Sequence, residues 1–390
     1  MNGSRTGQDD DWLVRSMSRY ENLYMFELPQ PTKCIEWSQL GTAICVAGCV
    51  ATTETTSTEI TQLALPEKLL PSKDETHWAK RDFRLINGAL SRTPITSLKH
   101  LLSTDTLASS GGESVITLWR ADQLDTDCLK ETGKLQLTLP PSLSSKDTSH
   151  TFIDISIQCP NILLTALSSS LCTVQTLDMA TAKPVFMLEG ADEALHGLAF
   201  VPNSDEVFMT CSGENGRLQM WDSRNKVLEQ STVKSSGSNS TAVMSFSFAA
   251  SNDAHPKLAL LCGDSGEVTL YDIRDCKEPF ARCMVKSSES VRGWFRKTQQ
   301  TPCIKFSEGN SNLVSVSGCT TGVSVYDISK WTTNGQVATP IFTHTGHEDD
   351  SAAAQVFVHS WQPDRMSTIL SADSDGSLHA WQWKDLDSCL

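Results

Sequence analysis

The C-terminal stretch 346–383 constrains the fold of this chain more than any other part of it. Apolar and polar residues alternate in three short runs within this stretch, and a two-residue period is typical of β-strands. The three runs are 356–361, 368–372 and 377–381. Asp375-Gly376, a pair that tolerates positive φ, separates the last two runs, which predicts a tight hairpin. Three successive antiparallel strands, the last of which carries a tryptophan near its end, indicate one blade of a β-propeller.

A similar ending recurs along the chain, and from Asp178 onward its spacing is about 45 to 55 residues. An aromatic residue or leucine followed by aspartate closes most copies, while a tryptophan alone closes an earlier one. These endings are Trp119, Leu177-Asp178, Trp221-Asp222, Tyr271-Asp272 and Tyr326-Asp327. Repetition at this period is typical of propellers and excludes a doubly wound enzyme fold. Counting both ends of the chain predicts seven blades, and six or eight would require that the first or third copy is misassigned.

The repeat resembles that of the WD-repeat family, whose pattern is Gly-His, a spacer and Trp-Asp. Gly346-His347 and Trp381 match the pattern, although Gln382 stands where the family has aspartate. The resemblance implies an all-β, seven-bladed WD-repeat β-propeller without catalytic residues. It also implies a hydrogen-bonded structural tetrad, formed by His347, Ser371, Asp375 and Trp381. Such a set is reasonable physically, because a buried imidazole, hydroxyl and indole N–H all need partners and a carboxylate accepts several hydrogen bonds.

The N-terminal residues are predicted to form two elements outside the repeats. Residues 1–21 form a tail with a short helix, since Trp12, Leu13 and later apolar residues follow a helical spacing behind an acidic start. That helix either packs on the outside of the fold or docks on a partner, which makes Trp12 and Leu13 candidate binding residues. Residues 22–28 alternate like a strand and are predicted to complete the last blade and close the ring. The propeller therefore spans 22–390.

The first three blades are assigned strand by strand from the same alternation. The first blade is predicted to use 33–38, 42–49, 59–65 and 82–87. The second is predicted to use 95–102, 106–112, 115–119 and 134–139, and the third 151–158, 162–167 and 171–177. The first and third copies fit the repeat least well.

The charge of the chain limits its partners. The formal net charge is -14 and the pI is about 5.1, which argues against direct binding to nucleic acid or to an anionic membrane. The longest apolar run, 43–51, has the length of a strand and cannot span a bilayer. Thirteen cysteines are scattered without Cys-x-x-Cys spacing, which favours a reduced, intracellular protein over a disulfide framework or a zinc site. The expected partners are proteins.

No catalytic or cofactor-binding pattern is present in the sequence. It lacks Gly-x-Ser-x-Gly, a P-loop, a dinucleotide-binding glycine set and His-Glu-x-x-His, so neither enzymatic activity nor a cofactor is expected. His344 and His347 suggest a metal-binding pair. However, His347 already has a role in the repeat and no third ligand is evident, so no metal is expected either.

A basic and aromatic segment between the fifth and sixth blades is a candidate contact surface. It contains Arg292, Trp294, Phe295, Arg296 and Lys297 in an otherwise acidic protein. Tryptophan, phenylalanine and arginine are enriched at the centres of protein interfaces. The alternative is that Trp294 and Phe295 cover the edge of a blade.

Both ends of the chain resemble one branch of the WD-repeat family more closely, through 10–14, the run 340–347 and the ending 371–383. Proteins of that branch are implicated in assembling the RNA endonuclease module of the Integrator complex in the cytoplasm, and have also been placed at spindle microtubules. The resemblance implies a scaffold. Together with the negative charge of the chain, it leads to the hypothesis that an acidic surface docks on the basic cleft of the endonuclease heterodimer and masks its active site. The alternative is a microtubule or spindle adaptor in mitosis, which would contact acidic tubulin through 292–297 or through a bridging protein.

Overall fold

A computed structural model describes most of the chain, and nearly all of the regular secondary structure in the described residues is β-strand. The described residues are 18–38, 43–51, 56–66, 69, 82–101, 105–111, 114–122, 124–139, 150–155, 162–168, 172–179, 181–191, 195–212, 217–224, 227–229, 246–291, 293, 301–347, 354–363 and 367–384. Their strands form seven sheets of four or five strands each. The predicted all-β propeller with seven blades is therefore confirmed.

The strands are numbered in chain order, and β1 spans Tyr20–Glu27. The first blade contains β2 (Thr32–Trp37), β3 (Ala43–Ala51), β4 (Thr56–Ala64) and β5 (Arg84–Ser91). The second contains β6 (Ile95–Leu101), β7 (Thr106–Gly111), β8 (Val115–Ala121) and β9 (Leu129–Gln136). The third contains β10 (His150–Ile155), β11 (Ile162–Ser168), β12 (Cys172–Asp178) and β13 (Lys183–Ala191). The fourth contains β14 (Leu195–Phe200), β15 (Val207–Ser212), β16 (Leu218–Asp222) and β17 (Val227–Glu229).

The remaining blades are less regular. The fifth contains β18 (Phe246–Ala250), β19 (Lys257–Cys262), β20 (Glu267–Asp272) and β21 (Ala281–Met284). The sixth contains β22 (Cys303–Phe306), β23 (Leu313–Ser317), β24 (Val323–Asp327) and β26 (Phe342–His344). The connection between β24 and β26 contains a 3₁₀ helix (Ile328–Lys330) and β25 (Gln336–Val337), which joins the sheet of the fifth blade. The seventh contains β27 (Val356–Trp361), β28 (Thr368–Asp373) and β29 (Ser377–Trp383), with β1 as its fourth strand.

Each blade packs against both of its neighbours. Successive side chains of a strand point to opposite faces of the sheet. In β3, Ile44 and Val46 therefore pack toward the seventh blade, whereas Cys45 and Ala47 pack toward the second. Burial on both faces explains why β3 is a nearly continuous apolar run. In the described part of the chain, seven clusters of buried apolar side chains occupy the seven junctions between blades.

The start of the chain closes the ring. β1 pairs antiparallel with β29, and Tyr24 lies opposite Ala380 in this register. Just beyond the strand, Leu28 N donates to Gly376 O across 2.8 Å. Gly376 has a φ of 98°, and a Cβ there would lie 2.6 Å from Leu28 O, so the hairpin turn and the closing strand both require glycine at this position. β1 begins at Tyr20, two residues before the predicted boundary.

Two further features were not settled by the sequence prediction: the N-terminal helix and an additional strand. The predicted N-terminal helix falls almost entirely outside the described residues. Its last part is described, and Ser18 and Arg19 there are helical. β25, which was not predicted, pairs in parallel with β21. It comes from the connection between β24 and β26, so an insertion of the sixth blade covers the outer edge of the fifth.

Candidate functional site

A buried hydrogen-bond network lies in the seventh blade, where the repeat pattern predicts one. Trp381 Nε1 donates to Ser371 Oγ across 3.1 Å, and Ser371 Oγ lies 2.9 Å from His347 Nε2. Ser371 and Trp381 lie on the neighbouring strands β28 and β29, and His347 lies in the connection after β26. His347 Nδ1 donates to the carboxylate of Asp373, so Nε2 of a neutral imidazole accepts and the Ser371 hydroxyl donates to it. Three residues of the predicted tetrad are connected in this way.

The carboxylate of this network belongs to Asp373, and the choice of Asp375 was wrong. Asp373 Oδ2 lies 2.7 Å from His347 Nδ1, and Asp373 Oδ1 accepts from the backbone N of Asp375 and of Ser377 across 2.9 Å each. Asp373 ends β28 and is 2% exposed. Asp375 is exposed in the turn and accepts from Ser374 Oγ. The last residue of the strand faces His347, whereas the turn residue faces outward.

Two further histidines extend the network to the closing strand. Tyr20 Oη lies 2.8 Å from His344 Nδ1, His344 Nε2 lies 3.0 Å from His379 Nδ1, and His379 Nε2 lies 3.0 Å from Ser377 Oγ. Ser377 Oγ in turn donates to Glu27 across 3.3 Å. This chain of hydrogen bonds connects both ends of β1 to the body of the ring. The sequence analysis did not include His379, although its position two residues before a repeat tryptophan places it on the same face of the strand.

Burial and hydrogen bonding together determine the charge of these groups. Burial, together with the neighbouring imidazole of His347, lowers the pKa of His379 to about 3, and it lowers the pKa of His344 well below its usual range. Burial acts to raise the pKa of Asp373, but hydrogen bonds from His347 and from two backbone N–H groups outweigh it and hold that pKa below its usual value. Burial raises the pKa of Tyr20 to about 12. An ionised Asp373 therefore lies beside neutral His344 and His379 at neutral pH.

Similar contacts connect the seventh blade to the blades on either side. Trp361 Nε1 donates to Ser315 Oγ of the sixth blade across 2.7 Å, and His359 Nε2 lies 2.7 Å from the same hydroxyl. In the first blade, Trp37 Nε1 donates to Ser360 Oγ across 2.9 Å. Indole and imidazole groups therefore bridge both junctions of the closing blade.

The aromatic residues that end other repeats are buried at the junctions between blades. Trp119 and Trp221 each donate to a hydroxyl of the preceding strand, across 2.8 and 3.0 Å respectively. Tyr271 and Tyr326 occupy the corresponding positions, and burial raises the pKa of each phenol to about 12. These rings fill the junctions between blades and are not available to a ligand.

The aspartates that end the repeats stabilise local turns. Asp222 and Asp272 each accept from the arginine two residues later, with shortest distances of 2.8 and 2.5 Å. Asp327 accepts from a backbone N–H across 2.9 Å and caps the 3₁₀ helix. Asp178 ends β12 opposite Lys183. The contacts described for these four aspartates thus lie in turns and at strand ends.

Comparison with known proteins gives relatives that align with nearly the whole chain. No protein-family model matches the chain. The protein named Integrator complex assembly factor WDR73 in Danio rerio is 32% identical over 391 residues, which cover 97% of each chain. Its Mus musculus namesake is 30% identical over 393 residues, which cover 97% of this chain and 99% of the relative. The chain belongs to the WDR73 family. The Homo sapiens member is 29% identical over 397 residues, so the relation extends over the whole propeller.

For this member of the WDR73 family, several predicted contact residues lie outside the described part of the chain. They are Trp12, Leu13, Arg292, Trp294, Phe295, Arg296 and Lys297.

Among the described residues, none of the helices has both the length and the hydropathy needed to cross a membrane. Within the same residues, one group of three side chains has the spacing of a metal site, formed by His344, His347 and His379.

Proposed function

We propose that the protein is a non-enzymatic assembly factor of the Integrator complex. The observation that carries this proposal is the relation to proteins named Integrator complex assembly factor WDR73, which extends over 97% of this chain at up to 32% identity. A closed ring of seven blades also suits a scaffold, because it presents loops on a rigid support to other proteins.

The chemistry of the buried groups supports a scaffold rather than an enzyme. Both ring nitrogens of His344, His347 and His379 lie within hydrogen-bond distance of protein groups, so the imidazoles are already engaged. Burial raises the pKa of Cys45 and of Cys211 to about 12, and a protonated, buried thiol is a poor nucleophile. Among the described residues, these buried histidines and thiols thus serve the packing and hydrogen bonding of the ring.

The finer proposal is that the protein binds the RNA endonuclease module of Integrator in the cytoplasm and masks its active-site cleft. In antiparallel blades, the connections between first and second strands and between third and fourth strands lie at one face of the ring, here called the acidic face. Its exposed carboxylates include Asp125, Asp127, Asp253, Asp275 and Glu278. This charge would complement a basic RNA-binding cleft, raising the association rate and selecting the partner more than it adds affinity.

Binding to the purified endonuclease heterodimer at rising salt tests this proposal. We expect the association rate constant to fall as salt increases, because exposed charges are screened beyond about 8 Å at physiological ionic strength. An Asp275→Lys/Glu278→Lys variant should associate more slowly than the wild type. The control Glu289→Lys/Asp375→Lys changes the net charge equally on the opposite face and should reduce the rate less.

Three results would count against the proposal at different levels. An association rate constant that does not change with salt concentration would contradict docking through the acidic face. Equal slowing by both double variants would contradict it as well. If the nuclease subunits do not co-purify with the full chain from cytoplasmic extract, the choice of partner is contradicted.

A further inference from the structure

A small cavity lies on the acidic face at the junction of the first and second blades. Its lining includes Gln62 from the first blade and, from the second, His100, Asp105, Leu107, Ala121 and Leu129. We propose that this cavity binds the ammonium group of a lysine side chain from the basic partner. The inference rests on the proposed docking through the acidic face, and it names the point at which the partner is held.

The size of the cavity suits an ammonium group. Its volume is about 20 Å³, which is enough for about one water molecule. A lysine ammonium is a compact charge that donates hydrogen bonds in several directions, whereas the guanidinium of arginine is a broader planar fork. The cavity therefore favours lysine over arginine.

The cavity has a carboxylate that no cation in the described part of the chain neutralises. Asp105 lines the cavity, is exposed, and forms no ion pair with a described residue. Two basic side chains of β8 and β9 are engaged elsewhere, because Lys130 pairs with Asp122 and Arg120 donates to Thr106 across 2.5 Å. An incoming ammonium would therefore meet an unpaired carboxylate.

The buried wall of the cavity is polar and uncharged. His100 is 7% exposed, and its Nδ1 has no hydrogen-bond partner among the described residues, while its Nε2 lies 4.0 Å from Cys45 Sγ. Burial lowers the pKa of His100, although Glu36 and Asp105 oppose this effect. The ring is therefore neutral at neutral pH and does not repel a cation. A buried polar atom without a partner is rare in folded proteins, so the lining residue His100 carries an unused hydrogen-bonding group.

The rim of the cavity suits the carbon stem of a lysine and an apolar neighbour. Ala121 and Leu129 line the cavity, and lysine buries its methylene groups along such apolar surface. The loop between these two residues carries Leu124, which is 95% exposed. Gly88 N donates to Asp127 O of the same loop across 3.2 Å, which holds the loop against the first blade. A partner segment with its lysine in the cavity can therefore also contact Leu124.

Dissociation of the purified endonuclease heterodimer from the full-length chain tests the proposal. Exposed charges mainly affect the association rate constant, whereas loss of a buried charged contact raises the dissociation rate constant. Ala121→Trp, which fills the cavity from an exposed position, should raise the dissociation rate constant about 10-fold or more. Asp105→Asn should raise it as well, because it removes the charge and keeps the shape of the side chain.

Glu278→Gln is the control, because it removes one exposed charge from the same face outside the cavity. It should change the dissociation rate constant by less than about 2-fold. The Tm of all three variants should equal that of the wild type, since each substituted side chain is exposed. Wild-type dissociation of both Ala121→Trp and Asp105→Asn would overturn the lysine site and leave docking through the acidic face in place.

Short capped peptides test the cavity without the nuclease. The probes carry lysine, norleucine or arginine between glycines, and norleucine has the carbon stem without the ammonium group. Saturation-transfer NMR should show contact of the wild type with the lysine peptide, weaker signals for the other two, and loss of the lysine signal in Ala121→Trp. Equal signals from the three peptides would overturn the proposal. If the heterodimer does not bind at all, the proposed partner is wrong, and the peptide comparison still decides whether the cavity binds lysine.

Discussion

The junction between the second and third blades and the junction between the sixth and seventh blades are packed with different kinds of side chain. The first is aliphatic, and Leu101, Ile116, Ile153 and Leu163 are among its buried residues. The second is aromatic and polar. Phe342 stacks on Trp381 with ring centroids 5.5 Å apart, beside the hydrogen-bonded histidines.

The difference reflects how precisely each junction has to fix the position of the strands that meet there. The second and third blades follow each other in the chain, so apolar packing, which is not directional, is sufficient to join them. The sixth and seventh blades meet where the start of the chain must find β29 in one register. Tyr20 and His344, for example, are 324 residues apart in sequence. Directional hydrogen bonds between buried groups favour one arrangement because any other leaves polar atoms unpaired.

The largest effect is expected from removing the central ring of the polar junction. Trp381 is fully buried, and Trp381→Ala should lower the free energy of unfolding by about 3–5 kcal/mol, because it leaves a cavity and removes the donor to Ser371. Urea unfolding of the full chain measures this loss. Val185→Ala, at a position that is 65% exposed, is the control and should change the free energy of unfolding by less than about 0.5 kcal/mol. A loss below about 1 kcal/mol for Trp381→Ala would show that this junction is not a main source of stability.

Exchange of a single oxygen for nitrogen tests the assignment of the carboxylate. Asp373→Asn should cost about 1–3 kcal/mol, since it removes a charge-assisted hydrogen bond to His347 from a buried site. Asp375→Asn is the matched control in the same turn and should cost less than about 0.5 kcal/mol because that side chain is exposed. Denaturation of both variants under one condition compares them. The reverse order would restore the carboxylate originally predicted.

Acid should weaken the polar junction selectively. Burial and the nearby Lys305 lower the pKa of His359 to about 3, and its ring nitrogens face the hydroxyls of Ser315 and Ser317. Above about pH 6.5 His359 is neutral in both states, and its contribution to stability is complete. Between about pH 6.5 and 3 the unfolded chain binds a proton that the folded chain does not, which costs about 1.4 kcal/mol per pH unit, or about 2 kcal/mol by pH 5.

Unfolding measured at pH 7 and at pH 5 gives this slope. His359→Asn should remove the part that belongs to His359 and leave the part that belongs to other groups. An unchanged slope in the variant would mean that His359 is protonated in the folded protein.

The smallest effect is expected in the aliphatic junction. Leu163 is fully buried, yet Leu163→Met conserves volume and should cost less than about 1.5 kcal/mol. Measured beside Asp373→Asn, this variant sharpens the contrast between packing that tolerates repacking and a network that does not. A loss larger than that of Asp373→Asn would remove the contrast.

The middle strands of the blades could be predicted from sequence better than the outer ones. The second strand of the second blade was expected at 106–112 and spans Thr106–Gly111. In contrast, β9 was expected at 134–139 and begins at Leu129, and β13 was not assigned. Outer strands such as β9 are largely exposed and their apolar pattern is weak. Pro184 in β13 is tolerated because an edge strand donates hydrogen bonds on one side only.

The polar network was only partly accessible to sequence reasoning. The repeat pattern pointed to His347, Ser371 and Trp381. The choice between Asp373 and Asp375 depended on where β28 ends, which the alternation does not determine. The contact of His344 with His379 could not be predicted, because it depends on how two neighbouring blades pack against each other.

Amide hydrogen exchange over Tyr20–Glu27, compared with Ser377–Trp383, tests most directly whether the start of the chain closes the ring. Because β1 and β29 share one ladder of hydrogen bonds, we predict that the bonded amides of both segments exchange slowly and on a similar timescale. Exchange of 20–27 at the rate of an unstructured peptide, while 377–383 stays protected, would contradict this closure.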